Sequence, residues 1–492
     1  MDKSFYCGLS GRIVTRENAL YNELRQGWNR AVQKYPLIIV YCMDKQDVCN
    51  AVIWSRKHCI PLRIRNGGHN YEGYSNGNCT LIIDLSEMNC LELDESSKLL
   101  YVEGGVTNRE LYDFVGSKGY PFPGGTCPTV GVSGYALGGG WGLSCRNFGL
   151  GCDSLIEIEM VNYQGVLIKA NKKCNSDLFW ACMGAGGGNF GVVVSMTFKL
   201  PPPIDKITLI EIDYMNVEPK EQEEFIGIWQ QWLKEADNRI TLISRIYNSE
   251  EDGLSMLIRG FFYGSVDKAK EIIKPFLELE KAEYNLEYIT FLEAVNIIGN
   301  SYPNSEMFTS VSKFVIDDIS KEQSSELVRL INNPAEGSVF TGLSMYALGG
   351  KVAEVDRDAS AFFYRKAEYI IWLETVWEDR RYANENRKWM SNAFIYLECG
   401  TNGSYVNFPY EKLPDFIEEY YGEHAEALKR IKRKYDPFNI FSFPQGILES
   451  EKLYPDSSET SNISIRPDIH KEGNKYHREF RYVKSKTNYM KE

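Results

Sequence analysis

A glycine-rich segment at residues 124–151 constrains this chain more than any other feature of its sequence. Ten of the 41 glycines in the chain fall within it. A backbone with so few side chains can turn sharply and lets another group approach closely. Amide N–H groups freed in such loops form concave anion sites that suit a pyrophosphate. The segment therefore predicts loops that line a ligand site.

A second glycine motif bears on the kind of nucleotide that could bind. Gly186, Gly188 and Gly191 match the G-x-G-x-x-G spacing of dinucleotide-binding proteins. In those proteins the motif follows a strand and opens a helix, whereas here a β-branched run at residues 192–200 follows and predicts a strand. The sequence therefore excludes NAD binding of that form.

Length and composition exclude several classes of protein. A chain of 492 residues exceeds one ordinary hydrophobic core and predicts about two domains. Hydrophobic residues at 43% and charged residues at 25% exclude a mostly disordered chain. The net charge of −12 disfavours a general nucleic-acid binder. No apolar run approaches the roughly 18 residues of a membrane span, and the first residues lack a signal-peptide pattern.

The cysteines and histidines do not form a recognisable metal or disulfide pattern. The twelve cysteines are widely spread, with no pair at C-x-x-C spacing, and none of the five histidines is paired at i, i+4. Disulfide scaffolds are short and dense in cysteine, and zinc sites need closely paired ligands. We therefore expect no metal site, free thiols and a cytoplasmic location.

The order of apolar runs predicts the domain organisation. Residues 1–203 alternate strands with helices such as 45–58 and 108–118, the second with Asn108 as its N-cap. The triple proline at 201–203 marks a boundary. Residues 204–392, with helices predicted at 222–235 and 266–279 among alternating strands, form an α+β domain. Residues 393–448 begin with a strand and return to the first domain, and a polar tail follows at 449–492.

Two reactive side chains lie in glycine-rich loops. His69 is placed between Gly68 and Asn70, just after a short predicted strand at 61–64, rather than on an apolar face. Cys127 lies within the run GGTCPTVGVSG. An isolated cysteine is ordinarily a small buried hydrophobe, and a lone histidine is often a core residue. From the residues alone, a structural and a functional role both stay open.

Four segments in this order resemble the berberine bridge enzyme-like family of FAD-linked oxidases, within the vanillyl-alcohol-oxidase flavoprotein superfamily. They are residues 65–75, 124–142, 184–200, and 405–408 together with 435–441. The resemblance covers nearly the whole chain up to Ile447. It implies an α+β fold, in which a two-part FAD-binding domain is capped by an α+β substrate domain over an antiparallel sheet.

The resemblance also implies a bicovalently bound FAD. In the family, the histidine of the GGH loop bonds to the flavin 8α-methyl carbon and the cysteine after G-G-T bonds to ring carbon 6, which correspond to His69 and Cys127. Two tethers orient the ring and tune its potential. The remaining residues implied to bind the cofactor are Arg65, Asn66, Gly67, Gly68, Asn70, Thr126, Val130, Gly131, Ser133, Gly134, Gly138, Gly191, Val193 and Asn407.

The family resemblance assigns the proton-transfer chemistry to tyrosine. The motif Y-x-N-[YF] falls on Tyr405, the implied base that takes the substrate hydroxyl proton, and Tyr71 is a second catalytic candidate. A free tyrosine has a pKa of about 10 and needs help from hydrogen bonds or positive charge. The chain departs from the family at Trp141, where some members have a catalytic tyrosine. It also departs at Trp372, in a segment expected to form a strand at 361–373, where a glutamine or glutamate often stands.

One residue bears on the electron acceptor. Val130 lies three residues after Cys127, and in the family a valine there accompanies oxidases, whereas leucine accompanies poor use of oxygen. The resemblance thus implies an oxidase that acts on an alcohol, either a carbohydrate or a secondary metabolite, and passes electrons to O₂ to give H₂O₂. Two alternatives stay open: a dehydrogenase with another acceptor, and a catalytically silent flavin-binding surface protein. The oligomeric state is unknown.

Overall fold

Sixteen strands form three sheets in the computed structural model, which describes residues 3–448. The first sheet contains β1 (Arg12–Val14), β2 (Ile38–Tyr41), β3 (Leu62–Arg65) and β4 (Leu81–Asp84). The second contains β5 (Leu91–Asp94), β6 (Leu99–Glu103), β7 (Leu155–Val161), β8 (Leu167–Asn171) and β9 (Val192–Lys199). The third contains β10 (Ile207–Tyr214), β11 (Ile240–Ser249), β12 (Gly253–Phe262), β13 (Ala282–Ile289), β14 (Phe308–Val315), β15 (Ser338–Ala347) and β16 (Tyr369–Trp377).

Helices cover these sheets and connect their strands. The α-helices are α1 (Tyr21–Leu24), α2 (Lys45–His58), α3 (Asn108–Gly116), α4 (Val132–Leu137), α5 (Cys145–Phe148), α6 (Ser176–Ala181), α7 (Pro219–Glu235), α8 (Val266–Ile272), α9 (Lys274–Leu277), α10 (Phe291–Asn300), α11 (Lys321–Ile331), α12 (Lys351–Glu354), α13 (Ala383–Glu398), α14 (Phe416–Tyr421) and α15 (Ala425–Tyr435). Short 3₁₀ turns occur at Lys3–Tyr6, Gly151–Ser154, Arg357–Ala359, Arg380–Tyr382 and Gly422–His424.

The first two sheets differ in strand direction and burial. In the first, with order β1-β2-β4-β3, strands β2, β4 and β3 are parallel. Strands β2 and β4 are buried along their whole length, as strands in the middle of a parallel sheet usually are. The second sheet, with order β5-β6-β9-β7-β8, is antiparallel throughout. Gly191 leads directly into β9, so a strand follows the G-x-G-x-x-G motif as predicted.

The third sheet has seven antiparallel strands in the order β13-β10-β12-β11-β15-β16-β14. Its register sets which side chains share a face. Arg245 of β11 pairs with Ser344 of β15, which in turn pairs with Trp372 of β16. Two residues further along β16, Glu374 pairs with Gly342. Because side chains alternate along a strand, Arg245, Trp372 and Glu374 all project from the same face of the sheet.

Several predicted elements differ from the structure for local reasons. Helix α3 has Thr107 rather than Asn108 as its N-cap, because the Thr107 hydroxyl and the Glu110 carboxylate form a capping box. The helix predicted at 266–279 is two helices, with Ile273 between them and a proline at the start of the second. The strand expected at 361–373 begins only at Tyr369.

The strand predicted after Ala393 is wrong, because these residues continue helix α13. Its buried residues, Asn386, Met390, Ala393, Phe394 and Leu397, recur at helical spacing. The predicted domain boundary at 392–393 therefore lies inside α13, whereas the whole third sheet lies within 204–392. The domain boundaries remain predictions, and the polar tail predicted at 449–492 lies outside the described residues.

After α13, residues 399–448 form a return segment that packs against the earlier part of the chain. The side chain of Lys432 is almost fully buried, and its Nζ donates to Asp436 Oδ2 at 2.6 Å, to the Asn189 carbonyl at 2.6 Å and to the Phe441 carbonyl at 2.8 Å. Burial raises the cost of each charge, and the ion pair with three bonds to Nζ offsets it. The return segment is thereby fixed against the loop that precedes β9.

Candidate active site

A cavity of about 570 Å³ lies between glycine loops and the third sheet. We call residues 66–70 and 125–134 the floor, and the cavity-facing side chains of the third sheet the roof. The return segment contributes Tyr405, Asn407 and Phe408 to the same cavity. All residues predicted to bind the cofactor or to act in catalysis line this cavity, apart from Arg65 and Gly138.

Arg65 and Gly138 lie behind the cavity wall and support it. Arg65 is buried, and its Nε donates to Asp84 Oδ2 at 2.5 Å at the end of the parallel sheet. A Cβ at Gly138 would overlap the side chain of Asn407. Glycine at 138 therefore lets Asn407 approach the end of helix α4.

Unpaired amides and missing side chains make the floor suitable for an anionic cofactor. The amide N–H groups of Gly67, Gly68, His69 and Asn70 donate to no acceptor within the part of the chain that the structure describes. Gly68 has a φ of +71°, a left-handed conformation in which successive amides can form an anion-binding concavity. A Cβ at Gly67 would lie 2.5 Å from the Thr129 carbonyl oxygen, whereas one at Gly134 would meet no atom within 4 Å. These features fit the pyrophosphate of FAD.

His69 is held in a neutral form on the floor. Its Nε2 lies 2.8 Å from the Thr129 hydroxyl, and its ring stacks on Trp28 with a centroid separation of 5.3 Å. Burial lowers the pKa of His69 to about 4. A neutral imidazole keeps a lone pair on one ring nitrogen, and that lone pair is what an attack on an electrophilic carbon requires.

Cys127 and His69 both contact the side chain of Thr129. The Cys127 Sγ is 3.6 Å from the same Thr129 hydroxyl that contacts His69. Burial raises the pKa of the Cys127 thiol, while hydrogen bonds from Thr129 and Val130 lower it. Thr129 lies inside the motif quoted for the resemblance, yet the sequence assigned it no role. One hydroxyl thus holds both side chains on one wall.

Three donors converge on the hydroxyl of Tyr405. Its Oη accepts from the backbone N–H groups of Gly140 at 3.0 Å and Trp141 at 3.2 Å, and from Asn407 Nδ2 at 3.1 Å. Burial raises the pKa of Tyr405 to about 12, and these three donors oppose that rise. A phenol oxygen has two lone pairs and a phenolate oxygen has three, so this set of donors is more complementary to the phenolate.

Aromatic rings fill much of the remaining wall. Tyr71 stacks on Phe408, with centroids 5.4 Å apart and an angle of 12° between the rings, and its ring centroid is 5.8 Å from that of Trp372. Burial raises the pKa of the Tyr71 hydroxyl well above its ordinary value. Trp141 donates its Nε1–H to the Ala347 carbonyl at 2.8 Å and meets Tyr346 edge-on. Both tryptophans singled out in the sequence line the cavity.

The roof carries a charged cluster that sequence reasoning missed. Arg245 donates from Nε to Ser344 Oγ at 2.7 Å, and its Nη2 lies 3.4 Å from Glu374 Oε1. Burial raises the pKa of Glu374 to about 8, with Glu306 adding to the rise and Arg245 opposing it. The available signal was an acid within β16, a strand whose nine residues are all buried. Arg245 offered no such signal.

Tyr302 connects the roof cluster to the floor. Its hydroxyl is 2.7 Å from Thr126 Oγ1, the residue next to Cys127. Burial raises the pKa of Tyr302, whereas the hydrogen bond to Thr126 and the charge of Arg245 lower it. The tyrosine therefore lies within electrostatic reach of both the thiol and the guanidinium. Among the described residues, no group of three or more His, Cys, Asp or Glu side chains is arranged to hold a metal ion.

The chain matches two family models, one described as an FAD binding domain at residues 36–171 and one described as berberine and berberine like at residues 404–448. The uncharacterized FAD-linked oxidoreductase YgaK of Bacillus subtilis is 36% identical over 446 residues, which cover 89% of this chain and 97% of that protein.

Two solved structures are similar in fold. BBE-like 1 of Physcomitrella patens superposes with a TM-score of 0.84 at 23% identity, covering 91% of this chain and 99% of that chain. The xylooligosaccharide oxidase of Myceliophthora thermophila, solved in complex with xylobiose, has a TM-score of 0.81 at 22% identity, covering 90% and 98%. The α+β fold expected from the sequence is confirmed. No helix in the described part of the chain has the length and apolarity needed to cross a bilayer.

Proposed function

Because this chain belongs to the berberine bridge enzyme-like family of FAD-linked oxidoreductases, we propose that it is an oxidase of a small-molecule alcohol whose FAD is bound to both His69 and Cys127. The observation that carries the proposal is the Thr129 hydroxyl, which contacts both side chains on one wall of the cavity. The sugar complex of the xylooligosaccharide oxidase supports a carbohydrate among the candidate alcohols. Secondary-metabolite alcohols are the other candidate class.

The floor binds and orients the cofactor in this proposal. FAD, when bound, accepts a hydride from a C–H bond next to a hydroxyl and passes two electrons to O₂, giving H₂O₂. The amides of residues 67–70 hold the pyrophosphate, and the open space beside Gly134 admits it. His69 supplies its neutral imidazole and Cys127 its sulfur. Val130, next to this wall, leaves room for a small diatomic molecule.

Tyr405 is the proposed base. In this proposal Tyr405 acts as a phenolate, which the N–H groups of Gly140, Trp141 and Asn407 stabilise. Its Oη takes the proton of the substrate hydroxyl and becomes the neutral phenol. Tyr71, packed against Phe408, contacts the substrate from the opposite side of the ring stack. The aromatic rings exclude water from the reacting atoms, which strengthens these hydrogen bonds.

Glu374 is a second candidate for the base. Its carboxyl faces the same cavity, and a pKa of about 8 places its proton exchange near neutral pH, the range in which general bases work best. Separate Tyr405→Phe and Glu374→Gln variants distinguish the two. Loss of flavin reduction in only one of them identifies the base.

The proposed domain arrangement and location follow from the same features. We propose that residues 1–203 and the return segment form the FAD-binding part, and that the residues between them, with the whole of α13, form the substrate part that carries the roof. The twelve cysteines of the chain are all free. Free thiols, several of them exposed, support a reducing compartment, and we propose the cytoplasm.

The tethers are tested by acid precipitation of the purified protein. We expect the yellow colour to stay with the pellet of the wild type and of the single variants His69→Ala and Cys127→Ala. The double variant should release its flavin into the supernatant. Release of flavin from the wild type would disprove both tethers.

The reaction is tested by anaerobic bleaching of the flavin with a panel of sugars and phenolic alcohols, followed by admission of air and assay of H₂O₂. Bleaching with rapid peroxide formation supports the oxidase. Bleaching without reoxidation by air supports a dehydrogenase, and a flavin that no compound bleaches supports the silent flavin-binding protein.

A further inference from the structure

The Nη atoms of Arg245 face the cavity and have no hydrogen-bond partner among the described residues. Its Nε is occupied by Ser344 Oγ at 2.7 Å, which fixes the orientation of the side chain. Its Nη2 is in ion-pair contact with Glu374 at 3.4 Å, beyond an ordinary charged hydrogen bond. Neither Nη atom donates a hydrogen bond to any residue that the structure describes, and the side chain is 25% exposed toward the cavity.

Trp372 presents a second unpaired donor on the same roof. It stands in the same cross-strand row as Arg245, one strand beyond Ser344. Its indole Nε1 is buried and has no acceptor among the described residues. A buried N–H group without an acceptor is costly, so such a group in the wall of a binding cavity indicates that a ligand supplies the acceptor.

Arg259 shows what a satisfied arginine looks like on the same face of the same sheet. Its Nη2 donates to both carboxylate oxygens of Asp213, at 2.8 and 3.0 Å, and its Nη1 donates to the carbonyls of Ile212 and Ile258. All its donors outside Nε are therefore engaged within the chain. Arg259 pairs across the sheet with Ile243, which stands two positions before Arg245 in β11. Arg245 is therefore close to Arg259 on the same face, yet in the described part of the chain it has no such partners.

The acids near Arg245 do not neutralise it fully. Glu374 makes the contact described above, and Glu306 senses the guanidinium only at longer range. Burial raises the pKa of both carboxyl groups and so favours their uncharged forms. A guanidinium with free planar donors in an aromatic cavity matches a planar, two-oxygen anion.

We propose that the alcohol substrate carries a carboxylate, which binds between the Nη atoms of Arg245 and the Nε1–H of Trp372. This inference rests on the proposed function, because it names the class of alcohol that the same cavity accepts. The roof selects the substrate by its acid group, and the hydroxyl-bearing carbon extends from there toward the floor. Hydroxy acids and uronic acids have the required chemistry.

The test compares matched ligands on the oxidised, flavin-loaded enzyme. One series is 4-(hydroxymethyl)benzoate, 4-(hydroxymethyl)benzamide and 4-(aminomethyl)benzyl alcohol, and a second is glucuronate, glucose and glucosamine. Within each series the frame is similar and the charge is negative, neutral or positive. Dissociation constants come from the change in flavin absorbance. We expect the carboxylate in at least one series to bind about 10- to 100-fold tighter than its neutral analogue.

Variants assign that preference to the roof. Arg245→Gln should remove it, Arg245→Lys should keep part of it, and Trp372→Phe should reduce it by a smaller factor. Arg259→Gln is the matched control, since its donors are used elsewhere, and should leave the preference unchanged. The flavin-to-protein ratio and the melting temperature show whether each variant has folded.

Two results would overturn the inference. One is equal or tighter binding of the neutral or amine member in both series. The other is a carboxylate preference that persists in a folded, flavin-loaded Arg245→Gln variant. Failure of the proposed function has a different signature, because no alcohol of any charge would then bleach the flavin. Bleaching by neutral alcohols without a carboxylate preference overturns the inference and leaves the oxidase proposal standing.

Discussion

The floor and the roof of the cavity are built from different materials. The floor consists mostly of backbone, and at Gly67 even one added carbon atom would meet a carbonyl oxygen at 2.5 Å. The roof consists of side chains: Arg245 on β11, and Trp372 and Glu374 on β16, all project from one face of the third sheet. A surface of backbone recognises an invariant group through its shape, whereas a surface of side chains can be altered one residue at a time. The floor therefore suits a cofactor and the roof a substrate.

The largest expected effect concerns Tyr405, which the return segment contributes to the cavity beside Gly140 and Trp141. Tyr405→Phe should slow flavin reduction by about 10²–10⁴-fold, the usual range for loss of a general base. Flavin loading should survive, because no tether is changed. Anaerobic stopped-flow mixing with a bleaching alcohol measures the rate.

Tyr421→Phe is the matched control for this change. Its hydroxyl donates to the Ala185 carbonyl at 2.8 Å and is not part of the cavity wall, so reduction should stay at the wild-type rate. A Tyr405→Phe variant that is reduced as fast as the wild type would transfer the role of base to Glu374 or Tyr71.

The rigidity of the floor is tested by adding one methyl group at two positions. Gly67→Ala should destabilise the protein by about 1–3 kcal/mol, because backbone atoms surround the new Cβ. Gly134→Ala, in helix α4, meets no protein atom and should leave the unfolding free energy unchanged or slightly higher, while lowering flavin incorporation. Denaturant unfolding and the flavin-to-protein ratio measure the two effects. Equal destabilisation by both changes would contradict this account of the floor.

The roof is tested by pH. Burial and Glu306 raise the pKa of Glu374 to about 8, and Arg245 opposes them. Above this value Glu374 gains a negative charge, so a carboxylate ligand should bind about tenfold more weakly for each further pH unit. Below it Glu374 is uncharged, and the affinity should be level. Titration of 4-(hydroxymethyl)benzoate between pH 6 and about 10 measures this, and Glu374→Gln should flatten the curve. A Glu374→Gln curve that still falls would assign the titration to another group.

The smallest expected effect is at Val130, where the floor lies beside Cys127. Val130→Leu adds one methylene to a close-packed wall and should slow reoxidation of the reduced enzyme by about tenfold. Flavin reduction should change little, since the substrate is recognised by the roof. Mixing reduced protein with oxygenated buffer measures the step. Sluggish reoxidation of the wild type would favour the dehydrogenase.

The sequence predicts the floor far better than the roof. His69 and Cys127 each lie in a short contiguous glycine-rich motif, so the local sequence pattern alone pointed to them. Arg245 and Glu374 meet only because β11, β15 and β16 pair in one register. The sequence of one strand does not determine its register with a strand that is distant along the chain. The family resemblance led us to expect a polar residue at the position of Trp372. The acid of β16, Glu374, stands two residues further along, and because side chains alternate along a strand it projects from the same face.

The return segment has a consequence for how the protein is made. Asn407 donates to the Tyr135 carbonyl across 272 positions of the chain, and Lys432 reaches Asn189 across 243. The ribosome releases the glycine loops long before it reaches these partners. A nascent chain that stops before residue 404 has the loops for the flavin but neither Tyr405 nor Asn407. The proposed base and its hydrogen-bond donor Asn407 are therefore synthesised late, and an unfinished chain that binds flavin lacks both.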